Sequence, residues 1–282
     1  MDSLQQLLTS YAYNILGSFE EAKDVVQDVL LEKMNRKGDA IENEKAYLIR
    51  STINRAINAK NRQKKLLSTY PGTWLPEPVV TEGADHHLHQ KDILSYSLMV
   101  LLEKLDARQR AVFILKEAFD YGHEEIARVL DISVENSRKI LSRARTELKT
   151  INHNYVTKTS VSYLDKYIDI IHNGDTKGLE QLLSDEIVLV SDGGGKAVAA
   201  QHPLVGKERA LLFLSGIYRK FYQKKQIEKG FVNHHPALFF YEEEQLVTCQ
   251  VFELQNEKIQ RAYFLRNPDK LASLRSLYKL AG

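Results

Sequence analysis

The spacing of apolar residues changes once along this chain, and that change limits the folds open to it. In the first half the period is helical. Tyr11, Ile15, Phe19, Ala22, Val26, Val29, Leu30 and Met34 recur at turn-by-turn spacing. After the polar stretch RKGDAIENEK (36–45), a second amphipathic helix is expected from about Tyr47 to Leu67, with Leu48, Ile49, Ile53, Ala56 and Ile57 on its apolar side. Residues 91–150 read as helical again. From about residue 158 the pattern differs. Two helices (about 160–173 and 175–184) lead into strand-like runs: EIVLVS, KAVAA, PALFFYE, QLVTCQVFEL and KIQRAYFLR. A helix near 206–222 interrupts them, and a short one follows NPDKL. The expected architecture is multidomain: two all-α domains, then an α+β domain with a mostly antiparallel sheet.

Between the helical blocks lies STYPGTWLPEPVVTEGADHHLHQ (68–90). Pro71, Pro76, Pro78, Gly72 and Gly83 exclude a regular element there. The only tryptophan, Trp74, sits inside it. An aromatic held by prolines suggests a linker that docks onto a surface. The domains are therefore placed at 1–68, 92–152 and 158–282, with a linker at 69–91.

The net charge of +2 implies no nucleic-acid partner by itself. Its distribution says more. Arg50, Arg55, Lys60, Arg62, Lys64 and Lys65 follow one another with no acid among them, and Arg138, Lys139, Arg143, Arg145 and Lys149 are interrupted only by Glu147. Two basic stripes on a balanced background point to anion-binding faces, with solvated helix faces as the plain alternative. The single cysteine, Cys249, rules out a disulfide framework and a cysteine-based zinc site. The start, MDSLQQLL, lacks the basic segment of a signal peptide, and no apolar run reaches membrane-spanning length. A cytoplasmic protein without metal or cofactor, and with no membrane partner, is expected.

The clearest motif is GHEEIARVLDISVENSRKILSRARTEL (122–148). A first helix ends near Leu130, Asp131-Ile132-Ser133 turns, and a second helix begins at about Val134. Ala127 is small where two helices cross, Ile132 fills the corner, and Ile126, Val129, Ile140 and Leu141 supply a shared core. This is helix-turn-helix spacing. Glu135, Asn136, Arg138 and Lys139 fall at the exposed start of the recognition helix, where base edges are read. Arg143 and Arg145 lie further on and suit phosphates.

The order of three segments, AYNILGSFEEAKDVVQDVLLEKM (12–34), AYLIRSTINRAINAKNRQKK (46–65) and the helix-turn-helix, resembles an extracytoplasmic-function sigma factor, a bacterial initiation factor that directs core RNA polymerase to promoters. The resemblance implies that the helix carrying Asp24, Gln27 and Asp28 docks on the polymerase. Residues 24 and 28 stand one turn apart, so both carboxylates face a partner together. It implies that Asn54 and Asn58 face the −10 element, that Arg50, Arg55, Lys60 and Arg62 meet the strand backbone, and that the loop 37–44 holds an unstacked base. The chain departs from the family at Tyr47 and Met34, where tryptophan is common. It departs again at Asp131, where the turn usually has glycine, and at Ser137, where an apolar residue is usual.

The stretch DGGGK (192–196) looks like a phosphate cradle but fails as one. In G-x-x-x-x-G-K-[ST] register, Val190 takes the first glycine position and Ala197 the Ser/Thr position, and no helix start follows. A glycine-rich turn between strands, with Asp192 at its entrance, fits better. Residues 158–282 resemble the SnoaL-like domain of the NTF2-like fold, which one group of these sigma factors carries as an extension. WLPEP, DGGGK and NPDKL mark that group. The resemblance implies an intramolecular regulatory contact between the C-terminal domain and the sigma core through Trp74, Leu75, Pro76, Asp192, Gly193, Gly194, Gly195, Lys196, Asn267, Pro268, Asp269 and Lys270. Asn267 and Pro268 also suit a helix start, with Asp269 and Lys270 exposed.

As an enzyme the domain offers only Asp185, Asp192, His202, His234 and His235, in no catalytic spacing; His234 and His235 would point opposite ways on a strand. Two rivals stay open: a one-component regulator with a ligand-sensing SnoaL-like domain, and an isomerase or cyclase fused to a DNA-binding module.

Overall fold

The computed structural model describes residues 3–36, 42–81, 90–149 and 162–278. The chain divides into two compact units. One is made of Met1–Thr69 with Asp85–His153, and the other of Tyr70–Ala84 with Asn154–Gly282.

The first unit is helical: α1 (Ser3–Leu16), α2 (Phe19–Asn35), α3 (Glu44–Leu67), α4 (Tyr96–Leu101), α5 (Ala107–Glu117), α6 (His123–Leu130) and α7 (Val134–Lys149). Local chemistry places the breaks. Gly17, at φ +75°, ends α1, and the Ser18 hydroxyl accepts the Glu21 amide to start α2. Asn43 caps α3 through the Ala46 amide, and Asp106 with Gln109 forms a capping box on α5. The helix-turn-helix forms as expected. Asp131 adopts the left-handed conformation at φ +53°, which aspartate tolerates better than most residues. Ser133 accepts the Asn136 amide at the start of α7. Ala127 and Leu141 are buried, whereas Ile132 and Ile140 are half-buried. Ser137 is fully buried and its hydroxyl lies 2.9 Å from Nδ1 of His123, so the polar substitution in the recognition helix has a partner.

The second unit carries α8 (Ser162–His172), α9 (Thr176–Leu182), α10 (Lys207–Ile217), α11 (Pro268–Tyr278) and a six-stranded sheet. The strands are β1 (Leu183–Asp192), β2 (Leu204–Val205), β3 (Gln226–Val232), β4 (His235–Glu242), β5 (Gln245–Gln255) and β6 (Lys258–Leu265), in the order β2-β1-β6-β5-β4-β3. β1 runs parallel to β6, and the other pairs are antiparallel. One face of the sheet presents Ile187, Leu189, Leu238, Phe240, Phe252 and Phe264 to Leu164 and Tyr167 of α8 and to Leu214 and Tyr222, in one continuous core. The opposite parity is buried as well: Val190, Asp192, Phe239, Cys249, Val251, Tyr263 and Leu265. The linker contributes to this unit. Val80 bridges Val232, the Thr81 amide donates to the Phe231 carbonyl, and the Val79 amide donates to Oδ1 of buried Asn233.

Several expectations are corrected. KAVAA is not a strand; the chain after DGGGK runs irregularly to the short β2, whose Val205 pairs with Val188. The helix expected near 206–222 does form, as α10 continued by a π-helical turn at Tyr218–Tyr222. β3 was not anticipated, because QIEKGFV has little apolar alternation. Asn233 and His234 form the β3–β4 turn at φ +46° and +65°, and only His235 lies in the strand, its Nδ1 3.1 Å from the Phe252 carbonyl.

Candidate functional sites

On α2, the outward stripe carries Asp24, Gln27, Asp28, Leu31 and Met34, at positions that share one exposed side of the helix. Leu31 and Met34 are 57% and 76% exposed, so acid and apolar groups share one open face. An exposed leucine and methionine beside two carboxylates suit an apolar partner surface rimmed by cations. Leu31 escaped the sequence reading because one apolar residue on a helix carries no sign of its side. Asp28 also lies 3.5 Å from Arg55 of α3, and Arg55 pairs with Glu32.

On α3 the expected DNA-facing residues divide. Arg50, Asn58 and Arg62 are exposed. Arg55 is held by Glu32 and Asp28. Asn54 is turned inward: its Nδ2 donates to the Val129 carbonyl at 2.8 Å and to the Arg50 carbonyl at 2.9 Å. Lys60 is 5% exposed, and its ammonium donates to the Leu16 carbonyl and to both carboxylate oxygens of Glu103. A phosphate contact from Lys60 is therefore not available in this arrangement. Burial, then the nearby Arg110 guanidinium, pulls its pKa down to about 8 against the attraction of Glu103. Of the loop assigned to the unstacked base, residues 37–41 lie outside the described residues, and Glu42–Glu44 are exposed.

On α7, Glu135, Asn136, Arg138, Lys139 and Arg143 are exposed at and beyond the helix start. Lys139 pairs with Glu135 at 2.6 Å, and Arg145 pairs with Glu117 at 2.5 Å. Both pairs are solvent-accessible and cost little to exchange for a phosphate.

In the second unit the three short motifs converge on one carboxylate. Asp192 is 1% exposed. It accepts hydrogen bonds from the Tyr70 hydroxyl (2.5 Å), the Leu75 amide (2.9 Å), the Gly194 amide (3.0 Å) and the Lys270 ammonium (2.5 Å). Lys270 also donates to the Leu75 carbonyl and lies 4.1 Å from the Trp74 ring centre, a cation–π contact. Burial and the bond to Asp192 raise the pKa of Tyr70. The glycines are required by close approach. A Cβ on Gly194 would stand 2.2 Å from Nδ2 of Asn267, and one on Gly195 2.7 Å from Cγ of Pro71. One on Gly193 would stand 2.1 Å from the Ala197 carbonyl oxygen. Leu75 and Pro76 are buried and Trp74 half-buried. Asn267 accepts the Asp269 amide at the start of α11, where Pro268 is the first residue. Lys196 and Asp269 form an exposed pair at 2.5 Å. Lys270, expected to be exposed, is instead the buried counter-charge of Asp192, because the helix start turns it toward the sheet.

Residues 1–66 match Sigma-70 region 2, and residues 95–148 match Sigma-70, region 4. The chain is 27% identical over 228 residues to the ECF RNA polymerase sigma factor SigJ of Mycobacterium tuberculosis, covering 78% of this chain and 72% of that protein. The crystal structure of the extracytoplasmic-function sigma factor SigJ from the same organism superposes with a TM-score of 0.77 at 25% identity, covering 96% of each chain. This chain is an extracytoplasmic-function sigma factor. The sigma factor SigG of M. tuberculosis is a more distant relative, 25% identical over 64% of this chain and 57% of its own length. In this sigma factor the region 2 and region 4 helices are followed by an α+β domain of the NTF2-like class, as the sequence led one to expect. The operator-binding regulator is not favoured. No described helix is long and apolar enough to cross a membrane.

Proposed function

We propose that each exposed face described above serves one step of promoter-directed initiation. The α2 stripe of Asp24, Gln27, Asp28, Leu31 and Met34 docks on core RNA polymerase. The α3 face with Arg50, Asn58 and Arg62 follows the −10 strand, joined by Asn54 and Arg55 once their internal partners are released. The start of α7 reads the −35 element through Glu135, Asn136, Arg138 and Lys139, with Arg143 and Arg145 on phosphates.

The C-terminal domain modulates this activity by controlling the linker between regions 2 and 4. The observation that carries this reading is the Asp192 hub, which binds Tyr70, Leu75 and Lys270 together and makes the linker part of the second unit's packing. A regulatory rather than catalytic role fits this use of the domain's most deeply buried carboxylate. Run-off transcription with core polymerase on a randomised promoter library tests the reading. Adding the chain should give start sites that core alone does not use. Arg138→Ala should relax preference at one −35 position, at a cost of about 1–3 kcal/mol. Identical start sites with and without the chain would overturn it.

A further inference from the structure

A polar contact crosses from α6 to α7 on the buried side of the recognition helix. Ser137, in the first turn of α7, is fully buried, and its hydroxyl lies 2.9 Å from Nδ1 of His123, the first residue of α6. An apolar side chain at 137 could only pack against the ring. A hydroxyl binds one atom of it and so fixes the direction in which the ring points.

A serine suits both charge states of this ring. Its hydroxyl donates to Nδ1 when the single ring proton is on Nε2, and it accepts from Nδ1–H when the ring is protonated. The contact therefore survives a change of charge, and Nε2 carries a proton in either form. The ring is half-buried, and Nε2 has no partner among the described residues. Its surroundings are cationic. Arg138 and Arg145 of α7 and Lys116 of α5 act on it, opposed by Glu124 of its own helix. Lys116 pairs with Asp120 at 3.7 Å, Arg145 pairs with Glu117, and Glu125 is held on the Gly122 amide. Partial burial, then Arg138 and Lys116, hold the His123 pKa below its ordinary value. A cationic corner without an anion opposes protonation, and a phosphate placed there reverses that preference.

We propose that His123 is a promoter-binding residue that works at both ring nitrogens: Nδ1 holds the recognition helix through Ser137, and Nε2–H donates to a backbone phosphate beside the bases that α7 reads. The phosphate contact and the base contacts of Asn136 and Arg138 then share one register, because α6 and α7 are tied at this point. The phosphate also draws a proton onto the ring, so binding takes up a proton. The free ring titrates below the ordinary 6.5, and the bound ring titrates higher. The gain in affinity is complete below the free-state value and is lost as pH rises through the bound-state value. This inference rests on the reading of α7 as the −35 face.

The experiment measures binding of the full chain with core polymerase to a labelled duplex that carries the −35 segment of a promoter selected from the randomised library. Anisotropy is read at pH 7.5 and 6.0 over a series of salt concentrations. The unaltered protein should bind about three- to tenfold more tightly at pH 6.0, with a salt slope steeper by up to about 0.9, the value of one more neutralised phosphate. His123→Asn sets an uncharged amide where Nδ1 stood; it should lose both changes and keep its base preference. Ser137→Ala keeps the titrating ring but unties it from α7, and it should relax the preference at the −35 position read by Arg138. Thermal melting checks that each variant is folded, and His123→Gln replaces His123→Asn if the latter is not. Equal pH dependence in the unaltered protein and the folded His123 variant overturns the phosphate contact. An unchanged base preference in Ser137→Ala overturns the tie to α7. Arg138→Ala separates this inference from the reading beneath it. If that variant also leaves binding and preference unchanged, α7 is not the −35 face. If it weakens binding while the His123 variant keeps the full pH dependence, only the role of His123 falls.

Discussion

Asp192→Asn tests the hub most sharply, because it removes a charge while keeping the side-chain shape. Lys270 would then be a buried cation, its side chain 11% exposed, with no carboxylate beside it. The Leu75 amide and Tyr70 hydroxyl would compete for a single amide oxygen. Removing one partner of a buried ion pair costs about 3–5 kcal/mol. At roughly 2–4 °C per kcal/mol for a domain of this size, the transition of the second unit should fall by about 10 °C. Differential scanning calorimetry of the full chain reads the shift. Limited proteolysis should show earlier cutting within residues 70–81. Asp192→Asn with Lys270→Met removes both charges and should recover most of the loss. If Asp192→Asn lowers stability by less than about 1 kcal/mol, or the linker stays equally protected, Asp192 does not hold the linker and the reasoning fails.

Gly194→Ala should destabilise the second unit by about 2 kcal/mol or more, since alanine would sit at φ +61° with its Cβ against Asn267; denaturant unfolding with no change in midpoint would contradict this. Asp131→Gly should stabilise the first unit by about 0.5–1 kcal/mol by relieving the left-handed aspartate, measured in urea, and a loss of stability would contradict it. Burial holds the Lys60 pKa down at about 8 in the folded unit, against an ordinary 10.5, so the folded unit binds this proton more weakly than the unfolded chain does. Its contribution to stability therefore rises between pH 8 and 10.5, by up to about 3 kcal/mol. Lys60→Met lacks that rise, and parallel stability profiles for the two proteins would contradict it.

The helix-turn-helix was legible because its signals are local. A helix period, a three-residue turn and a left-handed aspartate all lie within one stretch, and Glu125 capping the Gly122 amide completes it. The docking of the linker was legible in outline, since Trp74 among prolines has little reason to be in water. What could not be read was the sense of each polar side chain. Lys60 and Arg62 are two residues apart on one basic stripe, yet one is enclosed with Glu103 and the other is exposed. Asn54 and Asn58 differ in the same way. Those outcomes depend on a carboxylate and a carbonyl contributed from more than forty positions away. Lys270 was misjudged for a related reason. A helix-start motif fixes the backbone, but the buried carboxylate that draws the ammonium inward lies at the end of β1. β3 was missed because an edge strand needs only one buried face, and Gln226, Glu228, Lys229 and Gly230 interrupt its apolar residues.

The measurement that bears most directly on the whole account is the affinity of the full chain for core RNA polymerase, compared with the variant carrying both Asp24→Ala and Asp28→Ala. The account predicts a stable complex that the double variant weakens by tenfold or more, about 1.4 kcal/mol, with the helical unit still folded by circular dichroism. No complex with core polymerase, or equal binding by both proteins, would contradict it.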